Sequence, residues 1–248
     1  NRTLEDVKFL PRASDKRREA LSQLEEILQQ IRLKYNIETQ PLRLGGRELQ
    51  ILQLTDFESY LEKLIETESL GAMDLPYWAK LWEASFVLAY FLGKQPVVPW
   101  QRMLEIGAGM GIVGLYASLC GHRVTITDIE EDALLFARAN VLANGSSAEV
   151  RALDWNAPLA EEPYEVIFGS EVIYDRKSYP VLVEFLRKAL APHGTIFLAK
   201  STSLHAPKFF EELTKYFKFK HTVQTIRSGD EHLQVSLYAI RFKNDSGE

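Results

Sequence analysis

Apolar residues recur along the chain with two different periods, and the change between them organises it. In residues 14–35, Leu21, Leu24, Leu28 and Ile31 fall on one stripe at helical spacing, which predicts an amphipathic helix. Such a stripe can pack on its own domain or pair with a second copy, although roughly three heptads is short for a coiled coil. Residues 37–44 and 48–54 flank Gly45-Gly46 and read as a β-hairpin. Thr55 and Glu58 stand at capping-box spacing around Phe57, Leu61 and Leu64, so a second helix is expected to begin there. A third helix is expected over residues 78–92.

From Gln101 onward, short apolar runs alternate with helical segments. Strands are expected over 102–106, 123–127, 149–153, 164–169 and 194–199. Helices are expected up to Leu119 and Ala143, then over 177–190 and 206–217. Strand-helix alternation with crossovers implies a parallel, doubly wound sheet. The alternation stops at residues 219–226 and 232–242, two strands joined through Ser228-Gly229-Asp230 as a hairpin. Five strands and this hairpin make an α/β fold with a doubly wound, mostly parallel seven-stranded sheet closed by a C-terminal antiparallel hairpin. The N-terminal helix and β-hairpin form an extension over residues 1–75, and the sheet domain is expected over 76–248. The chain shows no internal repeat and no Pro/Gly-rich linker.

Charge and composition narrow the partners. The net charge is −5, and the nearest approach to a basic cluster, Lys16-Arg17-Arg18, is followed at once by Glu19. Binding a phosphate backbone needs a concentrated positive face, so no nucleic-acid partner is expected. The most apolar run, residues 86–92, falls far short of the roughly 18 residues of a membrane span, so no membrane association is expected. Arg2, Glu5, Asp6 and Lys8 do not form a secretory signal. Cys120 is the single cysteine, which excludes an intramolecular disulfide and fits a reducing, cytoplasmic compartment. His122, His193, His205, His221 and His232 are dispersed, each read as a surface or loop residue, and no metal site is expected.

The sharpest local signal is Leu104-Glu105-Ile106-Gly107-Ala108-Gly109-Met110-Gly111-Ile112-Val113-Gly114, set between a strand and a helix. Glycines allow a tight turn and close approach to a ligand, and the helix start adds oriented N–H groups. Asp128 ends the next strand, where a carboxylate can accept hydrogen bonds from both hydroxyls of a ribose. NAD and S-adenosylmethionine both carry that ribose, and Gly109-Met110-Gly111-Ile112-Val113-Gly114 also matches the dinucleotide fingerprint. Glu105 before the first glycine favours S-adenosylmethionine. So does the lack of a second catalytic domain. Asp154-Trp155 after the third strand offers an acceptor for an adenine amino group and an apolar face for its ring.

Residues 102–128 resemble motif I and the acidic strand end of class I methyltransferases. Gly169-Ser170-Glu171-Val172-Ile173-Tyr174 resembles the acidic-x-x-Tyr signature of seven-β-strand protein lysine methyltransferases, with glutamate where many members have aspartate. Pro76-Tyr77-Trp78-Ala79-Lys80-Leu81-Trp82-Glu83-Ala84 is similar to the tryptophan segment that family places before motif I, here with a second indole, Trp78. The resemblance implies that Trp82, Gly107, Ala108, Gly109, Asp128, Trp155 and Ser170 contact S-adenosylmethionine, and that Glu171 and Tyr174 line the acceptor side. Together with Glu105, Gly111 and Asp154 these are the candidate site residues.

Methyl transfer is a direct displacement, in which a protein aligns the reactants and excludes water. Enzymes that methylate base amino groups resemble one another in an Asn/Asp-Pro-Pro-aromatic stretch after the fourth strand, whereas this chain has Ser170-Glu171-Val172-Ile173-Tyr174. A carboxylate there can orient a cationic amine, and the Tyr174 ring can face a cation. The reading is a protein lysine N-methyltransferase. A small-molecule amine or oxygen methyltransferase, and a non-catalytic S-adenosylmethionine-binding partner protein, are the alternatives.

Overall fold

The computed structural model describes residues 13–68, 75–157, 162–203, 205–228 and 231–244. The N-terminal elements are α1 (Ala13–Arg32), β1 (Ile37–Leu44), β2 (Arg47–Leu54), α2 (Phe57–Glu68), a 3-10 turn (Tyr77–Ala79) and α3 (Glu83–Gly93). Then follow β3 (Arg102–Glu105), α4 (Ile112–Leu119), β4 (Arg123–Asp128), α5 (Glu131–Ala143), β5 (Glu149–Ala152) and β6 (Tyr164–Ser170). The chain closes with α6 (Tyr179–Ala189), β7 (Leu190–Ser201), α7 (Pro207–Leu213), β8 (Phe217–Ser228) and β9 (Glu231–Phe242).

The large sheet has the order β5-β4-β3-β6-β7-β9-β8. β3 to β7 pair in parallel, while β9 pairs antiparallel with both β7 and β8. The expected doubly wound, mostly parallel seven-stranded sheet is therefore present, hairpin included; Gly229 and Asp230 of its turn lie outside the described residues. Alternate strand residues serve opposite faces. Met103, Val124, Ile126 and Phe168 pack with α3, α4 and α5, whereas Leu104, Ile167, Ile196 and Leu198 pack with α6 and α7. The result is a three-layer α/β/α domain.

The extension lies on the first of these faces. Ile31 of α1 is 1% exposed and joins that core with Leu24, Ile27 and Leu28, although Leu21 is left exposed. Lys34 and Tyr35 bond to the Asp132 carboxylate of α5 at 2.8 and 2.6 Å. Asn140, fully buried in α5, accepts the Leu52 N–H of β2 and donates to the Met110 carbonyl, at 2.8 and 3.1 Å. One side chain thus joins the hairpin to the glycine turn.

Four local expectations need correction. The helix expected over 78–92 is broken, because Lys80 and Trp82 are extended (ψ 138° for both). A continuous helix would set Trp78 and Trp82 on one face. The break instead lets Trp78 pack against Tyr35 and Phe136, with ring centroids 5.8 and 5.2 Å away. At α2 the side chain that caps is Asp56, which accepts the Ser59 N–H at 3.0 Å, in place of the expected Thr55-Glu58 box. His122 is buried, with Nε2 3.1 Å from the Leu92 carbonyl oxygen, and burial lowers its pKa. It is a core residue, not a surface one. The strand expected over 194–199 also runs longer, over Leu190–Ser201, because β6 and β9 between them pair with both of its ends.

Candidate active site

The chain winds from β3 outward to β5, returns to β6, and winds outward the other way, so β3 and β6 flank a switch point. In such sheets ligands bind in the crevice at the strands' carboxyl ends there. The glycine turn leaves β3 at this point, and Ser170-Glu171 leaves β6 beside it.

The turn has no room for side chains at two positions. Gly107 and Gly109 have φ of +56° and +54°. A Cβ on Gly107 would lie 2.8 Å from Val172 Cγ1, and one on Gly109 would lie 2.7 Å from the Trp78 carbonyl oxygen. The Ala108 N–H continues the ladder to the Thr127 carbonyl oxygen at 3.0 Å, and Gly111 starts α4 in the left-handed region. Asp128 braces the turn from β4. Its Oδ2 accepts the Gly109 N–H at 2.7 Å and its Oδ1 accepts the Glu130 N–H at 3.0 Å. Burial pushes this carboxyl above its ordinary value, and those N–H bonds oppose the shift. Each carboxylate oxygen can accept more than one hydrogen bond, so acceptor capacity is left for a vicinal diol.

The Leu153 N–H donates to the Asp128 carbonyl at 2.9 Å, which ties the loop after β5 to the end of β4. In that loop Trp155 is half-buried, with Cζ2 3.8 Å from where a Cβ on Gly107 would stand. Asp154 is exposed, and its Oδ1 accepts the backbone and side-chain N–H groups of Asn156, which lower its pKa. Across the crevice, Trp82 is half-buried; its Nε1 donates to the Tyr77 carbonyl at 3.1 Å, and the Lys80 ammonium lies 4.3 Å from its ring centroid. The hydroxyls of Ser170 and Ser85 bond at 2.7 Å, joining the end of β6 to the start of α3.

Glu105 stands apart from the other candidates. It is 1% exposed, and Oε2 accepts the Gly114 N–H at 2.9 Å. Burial, with the nearby Asp128 charge, pushes its carboxyl well above the ordinary range. Its carboxylate therefore lies under the turn and holds the start of α4, instead of facing the crevice.

Glu171 is the most unusual residue here. It has φ of +54°, a left-handed conformation that costs a non-glycine residue on the order of 1–2 kcal/mol. Its N–H donates to the Ala199 carbonyl and its Oε1 accepts the Ser201 N–H, at 2.8 and 2.7 Å. Its Oε2 is buried and has no hydrogen-bond partner among the described residues. Burial raises the carboxyl's pKa, against the Ser201 N–H and the charge of Lys200. Tyr174, 54% exposed, lies in the loop beyond, within electrostatic reach of Asp128.

A cavity of about 450 Å³ lies at the opposite end of the sheet, lined by Arg102, His122, Arg123, Thr125, Glu149 and others, none of them a candidate. Among the described residues no cluster of His, Cys, Asp and Glu could hold a metal ion, and no helix is long and apolar enough to cross a membrane.

A family model described as "Lysine methyltransferase" matches residues 72–216, more than half of the chain. The chain belongs to this family. EEF1A lysine methyltransferase 3 of Mus musculus is 33% identical over 223 residues, which cover 83% of this chain and 92% of the relative. Protein N-lysine methyltransferase METTL21A of Danio rerio is 38% identical over 130 residues, 49% of this chain and 59% of the relative. The structure of N-methyltransferase NodS from Bradyrhizobium japonicum WM9, in complex with S-adenosyl-L-homocysteine, matches the fold with a TM-score of 0.50 at 19% identity, covering 74% of this chain and 97% of that one. The protein is an S-adenosylmethionine-dependent protein lysine methyltransferase.

The crevice fits that cofactor. Gly107 and Gly109 hold a positive-φ turn packed too closely against Val172 and the Trp78 carbonyl for any Cβ, Asp128 retains acceptor capacity, and an indole stands beside Gly107. For this lysine methyltransferase, sequence reasoning missed Ser85, Asn140 and Lys200. Asn140 left one signal, a polar residue within the apolar stripe of α5.

Proposed function

We propose that this enzyme methylates a lysine of EEF1A in the cytoplasm, with Glu171 receiving the acceptor amine. The observation that carries the acceptor assignment is the unpartnered, buried Oε2 of Glu171 at the switch point. An acceptor-only oxygen withdrawn from water is costly unless a donor arrives, and an amine is such a donor. EEF1A is the acceptor in the printed name of the relative that matches nearly end to end, and this supports the same acceptor here.

The positions of the residues support a division of labour. Asp128 would hold the ribose hydroxyls, Gly107, Ala108, Gly109 and Gly111 would admit the cofactor's chain against the backbone, and Trp155 and Asp154 would receive the adenine. Trp82 and Ser170 wall the side nearer α3. S-adenosylmethionine would supply a methyl group on a sulfonium, whose carbon an uncharged amine can attack in line with the neutral thioether as leaving group. Glu171 orients that amine, and Tyr174 faces it from the rim. A carboxylate raises an amine's proton affinity, so the amine reacts after losing a proton to water. The family match beginning at residue 72 supports a division into an extension, 1–75, and a methyltransferase domain, 76–248. No nucleic acid or membrane takes part in this reading.

The test is incubation of the enzyme with unmethylated EEF1A and isotope-labelled S-adenosylmethionine, followed by peptide mass spectrometry. Label on a lysine is expected. An unlabelled EEF1A, in a preparation that labels another protein or a small molecule, would remove this acceptor.

A further inference from the structure

Lys200 is a buried cation that neither the core nor the cofactor cradle accounts for. It is 4% exposed and sits one residue from the end of β7. Its Nζ donates to the Ser201 carbonyl at 2.8 Å, a neutral partner. Removing an ammonium group from water is costly unless an opposite charge compensates. Its two chain neighbours grip Glu171: the Ala199 carbonyl accepts the Glu171 N–H, and the Ser201 N–H donates to Glu171 Oε1. Glu171 is thus pinned across Lys200. Its only free oxygen stays buried and unpartnered.

Among the described residues, three charged groups act on Glu171. They are Lys200 from β7, Glu83 from α3, and Lys80 from the segment before α3. Lys80 is exposed and lies over the Trp82 ring, so solvent screens it. Lys200 is the buried one, and its field is the least screened.

We propose that Lys200 is a positioning residue for methyl transfer: its buried ammonium keeps Glu171 a carboxylate whose unpartnered Oε2 can accept the substrate amine, and offsets the hold of that carboxylate on the substrate's proton. The proposal rests on the reading of Glu171 as the amine's acceptor. It answers a conflict in that reading. A lone carboxylate attracts a lysine ammonium but strengthens its N–H bonds, and burial would itself protonate the carboxylate. A buried cation whose charge acts on the carboxylate opposes both effects. The amine then sheds one proton to water, its lone pair forms the N–C bond as the C–S bond breaks, and the bonding pair returns to sulfur.

The experiment compares wild type, Lys200→Met, Lys200→Arg, Glu171→Gln and the Glu171→Gln/Lys200→Met double variant. Single-turnover rates are measured across pH with labelled S-adenosylmethionine and a lysate lacking the enzyme, counting label in protein-bound lysine. In parallel, the Glu171 carboxyl carbon is titrated by NMR, assigned through its loss in Glu171→Gln. Lys200→Met is expected to move the acidic limb of the rate profile and the Glu171 midpoint upward by about one pH unit. Lys200→Arg should restore both, and the shift in rate should vanish in the double variant relative to Glu171→Gln alone. An unmoved limb and midpoint in folded Lys200→Met, or the same shift in the Glu171→Gln background, would overturn the role of Lys200 alone. Wild-type turnover in Glu171→Gln would overturn the acceptor reading and this proposal with it. Should Lys200→Met not fold, Lys200→Gln replaces it, and the wild-type titration still decides: a Glu171 carboxyl protonated at neutral pH overturns the proposal.

Discussion

Asp128→Ala separates the two tasks assigned to one carboxylate. In the folded chain Asp128 accepts the Gly109 and Glu130 N–H groups. Glu130 is exposed, so water can replace the lost acceptor there, but Gly109 is buried and its N–H would be orphaned. One orphaned donor costs about 1–3 kcal/mol; taking about 2, the melting temperature of a chain this size should fall by about 4–8 °C. Binding should suffer more. A hydrogen bond to a charged acceptor contributes about 1.5–3 kcal/mol, so losing one ribose hydroxyl contact weakens binding at least about tenfold, and losing two at least about a hundredfold. Calorimetry with S-adenosylhomocysteine, run well below the variant's melting temperature and beside a thermal melt, measures both effects. A folded variant with an unchanged Kd would refute the ribose assignment, whatever happens to stability. Protonation should act in the same direction. With its pKa raised by burial, Asp128 should lose its charge as pH falls through that value, and wild-type affinity should fall with it.

Two stability effects follow from buried polar contacts. Asn140→Ala orphans the Leu52 N–H and the Met110 carbonyl, and should cost about 2–5 kcal/mol in denaturant unfolding; a cost under about 0.5 would mean the bond between hairpin and turn is idle. Glu105→Gln keeps an acceptor for the Gly114 N–H while removing a desolvated charge. Because the folded-state pKa is raised, the stability contributed by Glu105 is full below the ordinary glutamate range and is lost as pH rises through the folded value. The melting temperature of Glu105→Gln relative to wild type should therefore climb as pH rises above the ordinary glutamate range, and a flat difference would contradict a desolvated, titrating Glu105.

The sheet and the cofactor cradle were legible because they follow local rules. Strand alternation, the positive-φ glycines and an acid at a strand end each act over a few residues, and Gly107, Gly109 and Asp128 converge in the fold. Contacts made across the chain were not. Trp78 and Trp82 read as one helix face until Tyr35 and Phe136, distant in sequence, draw Trp78 into the core and break the helix. Asp56 and Thr55 are both good caps by residue type, and only the backbone path chooses between them. Glu105 appeared as a ligand-side acid because spacing gives its place before the turn, not the direction of its carboxylate. The left-handed backbone at Glu171 and the burial of Lys200 depend on where β7 ends against β6, and no residue pattern encodes that register.

The acceptor assignment, on which the reaction rests, turns on Glu171 Oε2. Glu171→Gln keeps an acceptor for the Ser201 N–H and nearly the same shape, but replaces the free carboxylate oxygen. Single-turnover methyl transfer, with cofactor affinity and melting temperature measured on the same preparation, should fall about a hundredfold, or about 2.7 kcal/mol of barrier, while the other two values stay near wild type. Wild-type turnover by this variant on a lysine-bearing protein would show that the amine is received elsewhere.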